Sequence, residues 1–154
     1  MQLRRIYISD DHMYKGRHGK DPVRSPMRRV SEVRCVAGRG LEGDRFFDFK
    51  ENFKGQATLF SWQVYEDLCA KFDLHDKEPD VFRRNLVVSD VDLNALIGEE
   101  FELQGVRMLG SEEAAPCYWM DQAFADGAHE AMKGYGGLRV RLLSDGVLRE
   151  ESAA

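Results

Sequence analysis

Cys117 is the residue of this sequence with the clearest capacity for chemistry, because it follows Pro116 and begins a segment of helical character, residues 117–124. A thiol beside a helix N-terminus lies near the partial positive charge of free backbone N–H groups, and this charge favours the thiolate. A thiolate is a nucleophile and also a soft ligand, suited to a metal centre or to a terminal sulfur held as a persulfide. The residues alone leave a second interpretation open, in which Cys117 is a small buried apolar side chain.

The other cysteines and the histidines carry weaker signals. Cys35 and Cys69 lie far from Cys117 and from each other with no CxxC pair, which excludes a zinc ribbon and a complete disulfide framework. Cys69 falls on an apolar helical stripe, and we expect it to pack in the core. The histidines show no spacing typical of metal ligands. No metal site is therefore assigned to His12, His18, His75 and His129.

A second candidate site is an anion-binding pocket around Arg45. The glycine-rich run before it ends at Gly43, whose conformational freedom leaves backbone N–H groups available to a ligand. An arginine after such a turn presents a planar fork suited to phosphate. Asp44 would orient this arginine or cap the turn. Arg84 and Asn85 precede a predicted strand and could reach the same pocket. Surface salt bridges and a solvated loop are the alternatives that stay open for these residues.

The composition is that of an ordinary globular chain. Of its 154 residues, 43% are hydrophobic and 32% charged, which argues against disorder and predicts a single domain over residues 1–154. The net charge of −5 disfavours nucleic acid as a partner. No stretch approaches the roughly 20 apolar residues of a membrane span, and the N-terminus lacks the apolar run of a signal peptide. We therefore expect a cytoplasmic protein without a membrane partner.

The elements that must position these residues are predicted to be mostly short strands. The predicted strands cover residues 3–9, 30–37, 56–60, 86–88, 100–103, 106–111, 138–143 and 147–149, and residues 10–28 are predicted to be a long loop. Ser61 is predicted to cap an amphipathic helix, and shorter helices are predicted at 117–124 and 129–133. Gln104-Gly105 and Asp145-Gly146 indicate turns. This pattern predicts a mainly β fold of the α+β kind, a closed or nearly closed β-barrel with a few short helices, because closure removes exposed edges.

Five short motifs follow one another along the chain. They are Gly40-Leu41-Glu42-Gly43-Asp44-Arg45, Gly55-Gln56-Ala57-Thr58-Leu59, Asn85-Leu86, Ile97-Gly98 and Pro116-Cys117-Tyr118. Together they resemble the MOSC family, named for the C-terminal domain of molybdenum cofactor sulfurases. The resemblance runs from about Pro26 to Leu148, and it departs from the family where many members carry Gly-Glu-Asn and this chain has Arg83-Arg84-Asn85.

The resemblance implies a barrel of MOSC type, with a molybdopterin-type molybdenum cofactor or a mobile sulfur as its cargo. It implies that Cys117 is the catalytic thiol and the metal ligand. With such a cofactor, the residues that we expect at its anionic part are those of the pocket described above, Gly43, Asp44, Arg45, Arg84 and Asn85.

Three functions stay open at this point. The first is a molybdenum-cofactor-binding or sulfur-carrier protein using a cysteine thiolate or persulfide, which would need another protein, such as a cysteine desulfurase, to supply sulfur. The second is a molybdenum-dependent reductase of N-hydroxylated compounds, which would need a separate electron-transfer protein because the sequence has no flavin or iron–sulfur motif. The third is a non-catalytic binding module. The sequence does not decide whether the chain is an enzyme.

Overall fold

The computed structural model describes residues 1–10 and 27–151, so nearly all of the predicted loop 10–28, with His12 and His18, lies outside the described residues. Within these ranges the chain is mainly β. The strands are β1 Gln2–Ile8, β2 Arg28–Arg29, β3 Glu32–Val36, β4 Gly40–Leu41, β5 Ala57–Ser61, β6 Leu86–Ser89, β7 Glu100–Leu103, β8 Val106–Glu113, β9 Leu138–Leu142 and β10 Gly146–Arg149. The α-helices are α1 Trp62–Phe72, α2 Trp119–Ala123 and α3 Ala128–Ala131, and short 3-10 helices cover Pro79–Phe82 and Leu93–Leu96.

The strands form two sheets. Seven strands form a large sheet in the order β2-β1-β6-β5-β9-β8-β7, and three form a small sheet in the order β10-β3-β4. Neighbouring strands pair antiparallel except β5 and β6, which are parallel. A parallel pair needs a crossover connection, and α1 lies in that connection.

The large sheet is covered on both faces. Along β5, Leu59 belongs to the core shared with the small sheet and Phe60 to the core under the helices, as the two-residue period of a strand requires. The first core reaches Val33 and Leu148 of the small sheet, and the second packs α1 against α2 and α3. Burial on both faces makes the middle of the large sheet a firm base for the loops at its ends.

The prediction of a mainly β fold with a few short helices is confirmed, but the predicted barrel is not. Among the described residues neither sheet closes on itself, because the edge strands of the large sheet, β2 and β7, pair with one neighbour each. A sheet can protect its edges without closing into a barrel, since very short edge strands and a covering sheet protect edges as well. The small sheet packed over the large one encloses the core here.

The two predicted turns join different kinds of neighbours. The turn at Gln104-Gly105 closes a hairpin: the two residues have φ of 50° and 83°, and Leu103 pairs with Val106. At the other the chain bends at Ser144, and β10 then pairs with β3 of the small sheet.

The capped helix is confirmed, since Ser61 Oγ accepts from the backbone N–H of Val64 at 3.2 Å and Cys69 is buried on the inner face of α1. None of the helices in the described ranges has the length and apolar character needed to cross a membrane.

We predict that Gly137→Ala destabilises the protein more than Gly134→Ala. Both glycines have positive φ, 119° and 85°, so alanine adds backbone strain of about 1–2 kcal/mol at each. Only at Gly137 would the new Cβ also lie 2.4 Å from a backbone oxygen, that of Leu59, whereas nothing lies within 4 Å at Gly134. Gly137→Ala should therefore lower the free energy of unfolding by about 1–3 kcal/mol more than Gly134→Ala does, as measured by urea denaturation. Equal stability of the two variants would contradict the packing at the start of β9.

Candidate functional site

Cys117 lies in the connection between β8 and α2. It is exposed, whereas Cys35 and Cys69 are buried. The helix α2 begins at Trp119, two residues after the thiol, and has 5 residues. A helix this short has a small dipole, so positive charge at the thiol must come mainly from side chains.

Asn85 occupies a buried polar position at the start of β6. Its Oδ1 accepts from the backbone N–H of Thr58 at 3.1 Å and from the Thr58 hydroxyl at 3.2 Å. Its Nδ2 donates to the carbonyl of Tyr7 at 3.0 Å and to Asp44 Oδ1 at 3.3 Å. Asn85 therefore joins β1 and β5 to the loop that carries Asp44, and its polar atoms are already bonded within the protein.

Asp44 completes this network from the loop side. Its carboxylate also accepts from the backbone N–H groups of Ser9 at 3.0 Å and Phe46 at 3.2 Å. Gly43, just before it, has φ of 91°, a value that favours glycine and turns the chain inward. The backbone N–H of Arg45 donates to the carbonyl of Ser9 at 2.6 Å. The network thus fixes the backbone from which the Arg45 side chain extends.

The guanidinium of Arg45 is half-buried beside weak partners. Its Nη1 donates to Met27 Sδ at 3.3 Å, and its central carbon lies 4.7 Å from the centre of the Phe46 ring. Burial lowers the pKa of Arg45, while the negative charge of Asp44 acts in the opposite direction. No carboxylate of the described ranges forms an ion pair with this guanidinium. Since thioether sulfur and an aromatic ring are weak partners, the described residues satisfy little of its donor capacity.

The guanidinium of Arg84 is bonded to backbone carbonyls. Its Nε donates to Gly136 O at 2.9 Å and its Nη1 to Phe82 O at 3.2 Å. Its Nη2 donates to Ala114 O at 2.9 Å and to Ala115 O at 3.3 Å. An arginine has about five N–H donors, so these four bonds leave little for a ligand. Its predicted contact with the cofactor stays a prediction.

The charges around Arg84 show which side chains converge on it. The pKa of Arg84 is lowered to about 10, chiefly by removal from solvent, and the positive charges of Arg139 and Arg45 contribute to this lowering. The thiol of Cys117 and the carboxyl group of Glu113 act in the opposite direction. Three arginines and the exposed cysteine therefore lie within electrostatic reach of one position.

Arg139 is a residue of this cluster that the sequence analysis missed. It pairs with Thr58 between β5 and β9, so the two side chains lie on the same face of the sheet. Its Nη1 donates to Glu112 at 3.0 Å, and its guanidinium lies against Gly55, where an added Cβ would lie 2.7 Å from Nε. The alternation of β9 marks position 139 as polar, but alternation does not distinguish a solvated face from a site.

A shallow pocket lies at the junction of β5 and α1. Its lining includes residues 91–94 and also Tyr135 and Gly137, but not Cys117 or the three arginines. Among the described residues no group of three or more His, Cys, Asp or Glu side chains is placed to hold a metal ion.

Comparison with known proteins gives the family and the fold. The family model described as MOSC domain matches residues 18–152. Among solved structures, YuaD from Bacillus subtilis superposes with a TM-score of 0.72 at 16% identity, covering 96% of this chain and 90% of that one. YiiM from Geobacillus stearothermophilus gives 0.68 at 14% identity, covering 96% and 70%. YiiM from Escherichia coli gives 0.64 at 17% identity, covering 97% and 66%. No curated protein matches the chain in sequence.

We predict that iodoacetamide at pH 7.5 labels Cys117 at least about tenfold faster than Cys35 or Cys69, because only Cys117 is exposed. Burial raises the pKa of Cys35 to about 12 and also raises the pKa of Cys69, so both thiols stay protonated at neutral pH. Mass mapping after brief alkylation measures the order. Cys117→Ser should remove the fast phase, and faster labelling of either buried cysteine would refute the assignment.

We also predict that Asn85→Ala lowers the free energy of unfolding by about 2–4 kcal/mol, because it leaves the Thr58 N–H and the Tyr7 carbonyl without their side-chain partner. Asn94→Ala is the matched control, since Asn94 Nδ2 donates to the carbonyl of Gly134 at an exposed position. It should cost less than about 1 kcal/mol. Denaturant titration of both variants makes the comparison, and similar losses would show that the buried network contributes little.

Proposed function

This chain belongs to the MOSC domain family, and we propose that it binds a molybdopterin-type molybdenum cofactor, or carries its sulfur, through Cys117 while arginine side chains bind the anionic part of that ligand. The observation that carries the proposal is the guanidinium of Arg45, which is half-buried beside a thioether and an aromatic ring. A desolvated cation that forms no ion pair with a carboxylate in the described part of the chain favours an external anion.

The electrostatics of the cluster support an anionic ligand. The chain as a whole is acidic, with a net charge of −5, yet the positive charges of Arg45 and Arg139 both act on the guanidinium of Arg84. Like charges repel, so this arrangement costs free energy in the absence of an anion. An anionic group bound among them removes that cost. Arg45 has donors to spare, and Arg139 shares one of its donors with Glu112.

The thiol fits the other half of the ligand. Cys117 is exposed and lies close enough to Arg84 for their charges to interact. Its thiolate would be the one protein ligand to molybdenum, or the atom that holds a mobile sulfur. When bound, the cofactor would supply a redox-active metal. The chain would supply the thiolate, positive charge for the anionic tail, and the fixed loop in which Gly43, Asp44 and Asn85 hold Arg45.

The same site would serve a carrier or a reductase of N-hydroxylated compounds. A carrier would need a sulfur donor such as a cysteine desulfurase, and a reductase would need an electron-transfer protein. Metal analysis of protein purified from a cofactor-producing host separates them, because only the reductase requires stoichiometric molybdenum. We place the protein in the cytoplasm as a single domain under this proposal.

We predict that Arg45→Ala weakens the binding of a phosphorylated pterin by about tenfold or more, because it removes charge-assisted hydrogen bonds worth about 1.5–3 kcal/mol each. Calorimetric titration measures the affinity, and circular dichroism checks the fold. Arg34→Ala is the control, since Arg34 is exposed and lies 3.8 Å from Glu42. Equal binding by Arg45→Ala and the parent protein would eliminate the pocket.

We predict the converse result for Cys117→Ser. A hydroxyl is a poor ligand for a soft metal, so this variant should lose molybdenum or persulfide sulfur on purification. It should keep the affinity for the phosphorylated pterin within about threefold, because the arginines are unchanged. Metal analysis, persulfide mass spectrometry and calorimetry report the separate quantities. Retention of metal or sulfur by the serine variant would exclude Cys117 as the ligand.

A further inference from the structure

The connection between β8 and β9, residues 114–137, leaves the large sheet and returns to it at the same place. It carries Cys117 and the helices α2 and α3. Its two ends are bonded to each other: the backbone N–H of Ala114 donates to the carbonyl of Gly137 at 2.9 Å, and that of Gly136 donates to the Glu113 carboxylate at 3.2 Å. We refer to these ends, residues 113–115 and 136–137, as the base of the connection.

The base is closely packed. A Cβ on Gly136 would lie 2.2 Å from Ala114 O and 2.7 Å from Pro116 Cδ, distances that no side chain tolerates. The departing and returning chains therefore approach each other at backbone distance one residue before Cys117. A small displacement of one chain at the base would move the backbone that carries the thiol.

The side chain of Arg84 joins both chains of the base. Its Nε bonds to Gly136 O on the returning chain, and its Nη2 bonds to Ala114 O and Ala115 O on the departing chain. Its Nη1 bonds to the carbonyl of Phe82, a fully buried residue. Only a planar group with donors on several edges can make these four bonds together, and lysine, with a single point of charge, cannot reproduce them.

The backbone that carries Arg84 is itself fixed. The next residue is Asn85, whose backbone N–H donates to Thr58 O at 3.1 Å and whose side chain joins β1, β5 and the loop of Asp44. The guanidinium thus joins the segment that bears the thiol to the hydrogen-bonded start of β6 in the large sheet.

We propose that Arg84 is a positioning residue for Cys117: its guanidinium holds the two chains of the base together and so fixes where the thiol lies relative to Arg45. This inference rests on the proposed function, in which Cys117 is the working thiol. It assigns to Arg84 a role different from that of Arg45, because a phosphate bound in the usual bidentate manner would have to displace bonds that Arg84 already makes. Arg45 binds the anion, and Arg84 holds the loop.

The first test is Arg84→Lys, which keeps the positive charge and removes the planar fork. We expect hydrogen exchange at the Ala114 and Gly136 amides to become at least about tenfold faster, as loss of charge-assisted bonds at the base allows local opening. Amides of Val33 and Leu148 in the small sheet should change by less than about twofold. Unchanged exchange at Ala114 and Gly136 would overturn the proposal.

The matched control is Arg141→Lys. Arg141 also donates to a backbone carbonyl, that of Asn52 at 3.3 Å, but lies away from the base. It should leave the Ala114 and Gly136 amides unchanged. Acceleration of those amides by the control to the same degree would show a general effect of removing arginines and would overturn the proposal.

The second test reads the position of the thiol. The rate of Cys117 alkylation by iodoacetate is divided by the rate with iodoacetamide, and the same ratio is measured for glutathione at the same pH. Neighbouring guanidinium groups should raise the ratio in the parent protein at least about threefold above glutathione, since they attract the anionic reagent. Arg84→Lys keeps the charge, so a fall of the ratio toward glutathione reports displacement of the thiol. Retention of the parent ratio would overturn the positioning role.

Chemical rescue covers the case in which Arg84→Lys does not fold. Arg84→Ala is refolded with millimolar methylguanidinium or methylammonium, and amide exchange and the alkylation ratio are measured again. Restoration by methylguanidinium alone supports the proposal, and restoration by both cations or by neither overturns it. Failure of the proposed function looks different: the parent protein itself would then show no elevated alkylation ratio and no binding of phosphorylated pterin.

Discussion

The amide of Asn85 is the constraint on which the rest of the site depends. It is 2% exposed, and a buried amide without partners costs free energy, so each of its polar atoms must be bonded. Thr58, Tyr7 and Asp44 are those partners, and they come from β5, β1 and the glycine-rich loop. One side chain therefore fixes three segments that are distant in sequence, and the residues next to these segments receive defined positions.

Two arginines extend from this network and have different surroundings. Arg45 follows Asp44 and lies beside Met27 and a ring, whereas Arg84 precedes Asn85 and is surrounded by carbonyl oxygens. Burial lowers the pKa of both groups, because a charged guanidinium loses hydration when protein surrounds it. The difference lies in what replaces the water. Carbonyl oxygens satisfy the guanidinium of Arg84, whereas that of Arg45 retains donor capacity that an anionic ligand can use.

The position of the thiol follows from the topology of the large sheet. β8 and β9 are neighbours, and the connection between them carries Cys117 beyond the end of the sheet before the chain returns through Gly136 and Gly137. The large sheet is covered on both faces and is therefore rigid, whereas the connection leaves the Cys117 thiol exposed. YuaD and the YiiM proteins share this fold at 14–17% identity, which shows that the fold tolerates extensive change in sequence.

The sequence by itself determined the local elements and the family. Ser61 as a helix cap, the hairpin at Gln104-Gly105 and the burial of Cys69 follow from interactions between residues close in the chain, and the structure confirms them. The motifs around Arg45 and Cys117 carried the MOSC resemblance, which the family model confirms over residues 18–152. The tertiary structure decided what depends on distant pairing: two open sheets in place of a barrel, the transfer of β10 to the small sheet, and the presence of Arg139 in the charge cluster. It also decided that Arg84 bonds to carbonyls. Residue type tells which bonds a guanidinium can make, but only the folded chain determines which acceptors come within about 3 Å of it.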